Sequence, residues 1–62
     1  MSLTLTQMRK AEVGTVVYLT KAPFVRFKRH ENRVWYEVPR HGIKPRILTT
    51  SELHLLGVDV VE

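Results

Sequence analysis

The three histidines, His30, His41 and His54, are the side chains with which this chain could do proton-transfer or metal chemistry near neutral pH. Their spacing argues against both. They fall in a predicted turn, a loop and a helix, and no ligand pair such as His at i and i+4 links them. His30, Glu31 and His41 are too scattered to predict a metal site. The serines are Ser2 and Ser51. Ser51 falls in the first turn of a predicted helix, where a hydroxyl caps rather than attacks. The three glycines stand alone, so there is no phosphate-cradling loop. A chain of 62 residues is also not expected to form the roughly 300 Å³ cleft of a typical ligand site. These residues point away from an enzyme and imply no cofactor and no metal.

The chemistry they favour is electrostatic binding. Between Lys21 and Arg46 lie eight basic residues: Lys21, Arg26, Lys28, Arg29, Arg33, Arg40, Lys44 and Arg46. Only Glu31 and Glu37 oppose them, so the segment carries +6. The rest of the chain carries −2, for a net +4. Set among the cations is the one tryptophan, Trp35. Cations neutralise phosphates, and an exposed indole stacks on a base or sugar. Trp35, with His30 or Phe24, would supply stacking, and the eight cations the phosphate contacts. The same residues also fit a solvated basic face with the indole covered by a helix or by Lys28.

Which of these holds depends on the elements that carry the residues. Thr4 followed by Gln7 is a capping box, with Leu3 and Met8 placed as a hydrophobic staple. This predicts a helix over 5–11, ended by Val13-Gly14. Leu48-Thr49-Thr50-Ser51-Glu52-Leu53 repeats the spacing, and Gly57 ends a second helix. Thr15 to Leu19 reads as a strand, Thr20 to Pro23 as a turn, and Arg46 to Leu48 as a short strand. Pro39, Gly42 and Pro45 make 39–45 a loop, the part of the chain expected to be most mobile.

Phe24 to Val38 alternates, turns over at His-Glu-Asn, and alternates again. With Glu31 and Asn32 in the turn, Lys28 faces Trp35, Phe27 faces Tyr36, and Arg26 faces Glu37. One side then holds Val25, Phe27, Val34, Tyr36 and Val38, with Arg29 at its rim. The other holds Arg26, Lys28, Arg33, Trp35 and Glu37, open to water. A one-residue slip would bury three charges. The expected fold is α+β, a small antiparallel sheet of three to four strands with a central β-hairpin and two short helices, in one domain over residues 1–62.

Stability should be on the order of 3–5 kcal/mol for a chain this size. There is no cysteine, hence no disulfide. No apolar run reaches the roughly 20 residues of a membrane span, and the N-terminus lacks a signal-peptide pattern. The expected location is cytoplasmic.

Val13-Gly14-Thr15-Val16-Val17, Val34-Trp35-Tyr36 and the run from Ser51-Glu52-Leu53 to Val61 resemble a class of small uncharacterised proteins from phages of actinobacteria and their hosts. The chain departs from that layout at Phe24-Val25-Arg26-Phe27, where an aspartate-glycine turn followed by tryptophan is more usual. The resemblance implies an accessory phage protein that acts by binding, and it carries no residue roles. Two partner classes follow. DNA or RNA is favoured, contacted through Lys21, Arg26, Lys28, Arg29, Arg33, Trp35, Arg40, Lys44 and Arg46. The alternative is an acidic protein surface or a second copy, met through a sheet edge and the apolar Leu53, Leu55, Leu56 and Val58.

Overall fold

A computed structural model describes residues 2–31 and 33–61. Thr4 caps helix α1 (Leu5–Lys10) as its spacing predicts: its hydroxyl accepts from Gln7 N, and the Gln7 side chain accepts from Thr4 N. Strands β1 (Val16–Leu19), β2 (Ala22–Glu31), β3 (Val34–Glu37) and β4 (Ile47–Thr49) follow. Thr49 then caps α2 (Thr50–Leu56) through the second capping box, with Glu52 as its partner. Gly57 leaves α2 at φ +80°, a conformation that favours glycine, and strand β5 (Val58–Val60) closes the chain.

The sheet is antiparallel with order β4-β3-β2-β1-β5. The fold is thus α+β with two short helices, but with five strands rather than three to four. Both helices pack on one face. Met8 of α1 and Leu53 of α2 are buried against Val17, Val25, Phe27, Trp35 and Val58. The helix ends differ from expectation at one point. α1 stops at Lys10 with Ala11 as its cap, before Val13-Gly14. Arg29 caps that end. Its guanidinium donates to the carbonyls of Met8, Arg9 and Ala11, which the helix end leaves free to accept.

The hairpin register is where sequence and structure part. Lys28 pairs with Tyr36, Arg29 with Trp35 and Phe27 with Glu37, one residue away from the expected partners. Glu31 is strand and pairs with Val34; the register shifts between Arg29 and Glu31. Asn32, expected in the turn, lies outside the described residues. β2 keeps its expected sides, with Val25 and Phe27 inward and Arg26 and Lys28 outward. β3 is inverted. Trp35 and Glu37 face the core, and Tyr36 faces out.

The slip buries Glu37, and Arg29, on the unchanged inward side of β2, is buried as well. The slip is tolerated because both are hydrogen-bonded, and because the indole is the largest apolar volume available to the core. Trp35 is 0% exposed, and its N–H donates to Thr50 Oγ1 at 3.0 Å. Thr50 N in turn donates to Arg33 O at 3.0 Å. The tryptophan therefore joins the hairpin to the start of α2.

Truncating Trp35→Ala should cost about 3–5 kcal/mol. That matches the whole stability of a domain this small, so the variant should be largely unfolded by far-UV circular dichroism. Trp35→Phe should stay folded with a lowered denaturation midpoint. Wild-type stability in Trp35→Ala would contradict the interior placement.

Candidate functional site

No helix among the described residues covers the sheet face opposite the core. Alternation along β2 puts Arg26, Lys28 and His30 there. Tyr36 joins them opposite Lys28, and Ile47 lies opposite Tyr36 on β4. Tyr18 sits between Arg26 on β2 and Asp59 on β5. Arg26, Lys28, His30, Tyr36 and Ile47 are all exposed. The face thus presents aromatic and basic side chains side by side, because β2 alternates cation with core residue and β3 delivers its tyrosine.

Its centre is an aromatic pair. The rings of His30 and Tyr36 stack at 4.3 Å between centroids, 19° from parallel. A shallow hollow of about 280 Å³ lies beside them, lined by Val13, Lys28, Arg29, His30 and Tyr36. The pair offers a flat aromatic surface, and Lys28 and Arg26 place positive charge next to it.

The residues expected to bind divide into two groups. Lys21, Arg26, Lys28, Arg33 and Lys44 are exposed. Arg26 and Lys28 share the open face, Arg33 sits beside the hairpin tip, and Lys21 and Lys44 lie in separate connections. The other four are engaged within the fold. Trp35 is interior, which overturns its expected stacking position and its pairing with Lys28. Arg29 is buried rather than at a rim, with its Nε donating to Glu31 O and its charge 5.5 Å from the centre of the Trp35 ring. Arg40 and Arg46 are committed to Glu37, at 3.3 and 3.1 Å. Of the apolar residues considered for protein contact, Leu53 and Val58 belong to the core, while Leu55 and Leu56 are exposed.

Sequence reasoning assigned Tyr36 to the core and so missed it as the aromatic of the open face; Phe24 is exposed too, with the Arg40 guanidinium 5.3 Å from its ring centre. One signal was present. Of two adjacent aromatics, the tyrosine has the hydroxyl that tolerates water, and the tryptophan has the larger apolar body. The expected lack of a sizeable cleft is also corrected. A cleft of about 770 Å³ lies between the helix ends and the hairpin tip. Among the described residues, no three His, Asp or Glu side chains are grouped as a metal set, and no helix is long and apolar enough to cross a membrane.

Glu37 ties the 39–45 loop to the sheet at both ends. Its carboxylate accepts from Arg46 N and Nε and from Arg40 Nη2. Burial alone pushes this carboxyl up. The hydrogen bonds from the Arg46 side chain and backbone, the Arg46 charge and the Arg40 bond outweigh it, and the net direction is down. No family model, curated protein or solved structure shows a significant match to the chain.

A carboxyl held below its ordinary value of 4.5 stabilises the fold above that value, and the contribution is lost as pH falls through the lower folded-state value. Wild-type stability should therefore drop on acidification below about pH 4.5. Glu37→Gln should lower stability at neutral pH by about 1–3 kcal/mol and flatten that acid limb. Urea denaturation of both proteins between pH 3 and 7 measures this. Parallel pH curves would show that Glu37 does not carry the effect.

Proposed function

We propose that this chain is a non-catalytic module that binds single-stranded nucleic acid across the open face of its sheet. The observation that carries the reading is the exposed His30–Tyr36 stack flanked by Lys28 and Arg26. Bases stack on flat aromatic side chains regardless of sequence, and neighbouring cations follow the phosphates. Each strand of the sheet contributes alternate side chains to such a surface, so a nucleotide chain crossing β3 and β2 meets Tyr36, then Lys28, then Val16 or Tyr18 on β1. A groove-reading role fits less well, because Arg26 and Lys28 lie on the flat of the sheet and Lys21 and Lys44 in separate connections, rather than along one projecting element. The net charge of +4 would draw a polyanion toward the protein and make association sensitive to salt.

A second reading is favoured by Leu55, 84% exposed, and its neighbour Leu56. These give α2 an apolar outer side that a protein partner or a second copy could cover.

Fluorescence anisotropy with labelled single-stranded DNA and RNA of about ten nucleotides separates the two. Binding is expected at about 50 mM salt and should weaken steeply by about 200 mM. Tyr36→Ala should reduce affinity by about 1–3 kcal/mol, whereas Tyr36→Phe should retain most of it. Lys28→Glu should weaken binding and flatten the salt dependence. If neither oligonucleotide binds at the lower salt, the nucleic-acid reading fails, and the Leu55–Leu56 surface becomes the surface to test.

A further inference from the structure

On the opposite side of the hairpin from the open face, the end of α1, the start of α2 and the β2–β3 tip enclose the 770 Å³ cleft. Its lining is Arg9, Arg29, Arg33, Thr49, Thr50 and Ser51. The walls carry three guanidinium groups and three hydroxyls, and no carboxylate. Several of these groups are already committed. Thr50 Oγ1 holds the Trp35 indole, and Thr49 Oγ1 caps α2. Backbone amides of Thr50 and Glu52 are bonded to Arg33 O and Thr49 Oγ1. Arg29 binds the last carbonyls of α1 on one side and Glu31 O on the other. It thereby fixes the backbone from which Arg9 projects, and Thr50 N holds that of Arg33. The side chains of Arg9 and Arg33 are exposed, and neither guanidinium makes a hydrogen bond or ion pair among the described residues.

Two arginines without a bond among the described residues, mounted on different elements, line this cleft together with the Ser51 hydroxyl. We infer that this cleft is a second site, separate from the sheet face, that binds the phosphate group of a phosphorylated ligand. A guanidinium fork matches phosphate oxygens two at a time, and two forks carried on separate elements can engage more oxygens of a tetrahedral dianion than of a planar carboxylate. The volume falls in the range of small-molecule sites, about 300–1,000 Å³, so there is room for more than a lone phosphate. The polar lining excludes a mainly apolar ligand. The phosphate has two candidate sources, a free phosphorylated compound or the terminal phosphate of a nucleic-acid strand. Only the second rests on the function proposed above.

The test uses the full chain and begins with pyrophosphate as the probe. In heteronuclear NMR titrations at matched ionic strength, pyrophosphate should shift the Arg9, Arg33 and Ser51 signals saturably, with millimolar or tighter affinity. R9Q/R33Q removes two exposed side chains and should keep the wild-type spectrum elsewhere, but bind about tenfold or more weakly. R9K/R33K keeps the charge without the forks and should be intermediate. Y36A should leave the pyrophosphate response unchanged, which separates this site from the sheet face. The source is then read from two oligonucleotides of one sequence, with a 5′-phosphate or a 5′-hydroxyl. A phosphate-dependent gain that R9Q/R33Q erases assigns the site to a strand terminus. Equal affinities, or no binding of either, with pyrophosphate binding intact assign it to a free phosphorylated compound. Shifts no larger than those from matched chloride, or equal shifts in R9Q/R33Q, overturn the site.

Discussion

The placement of Trp35 sets the rest of the structure. Its indole needs interior volume and a hydrogen-bond acceptor, and it finds both beneath α2, where Thr50 supplies the hydroxyl. Once the indole points inward, alternation leaves β3 no freedom. Tyr36 must face out and Glu37 must face in. The bond to Thr50 also docks the start of α2 on the hairpin, reinforced by Thr50 N to Arg33 O. Register, helix docking and the identity of the exposed aromatic are thus consequences of one side chain's burial.

The same placement buries Glu37, and the inward side of β2 buries Arg29 beside the indole. A buried ion without partners is strongly unfavourable, so each is enclosed by bonds. Arg29 reaches across to the carbonyls of α1 and back to Glu31, and it lies over the indole it pairs with. Glu37 collects Arg40 and Arg46 from the following loop, and Arg46 lies over the Phe27 ring at 5.6 Å. These two residues act as polar fasteners, one for the first helix and one for the loop. Arg29 adds polar bonds to a helix that Met8 already anchors in the core, and Glu37 holds a loop that contributes none of the buried apolar residues described.

This division explains how a basic chain distributes its charge. Arg29, Arg40 and Arg46 serve the fold's own carbonyls and carboxylate. Four of the remaining cations fall on two sides of the hairpin, apart from the exposed Lys10, Lys21 and Lys44. Arg26 and Lys28 flank an aromatic stack on the open sheet, and Arg9 and Arg33 overlook a polar cleft at the helix ends. The first surface is the one proposed for a nucleic-acid strand, and the second the one proposed for a phosphate group.

The sequence by itself determined the local structure. Both capping boxes, the glycine that ends α2, the succession of elements and the inward side of β2 were legible, because each depends on residues within a few positions of one another. The side of β3 was not legible. In Val34-Trp35-Tyr36-Glu37-Val38 both alternating sets contain an aromatic, so the pattern permits either face to be the dry one. The choice turns on whether Glu37 and Arg29 can be buried. That depends on Arg46, nine residues beyond Glu37, and on helix carbonyls about twenty residues before Arg29. Such partners are brought together only by the folded chain, so tertiary structure decided the register, the exposed tyrosine and the cleft.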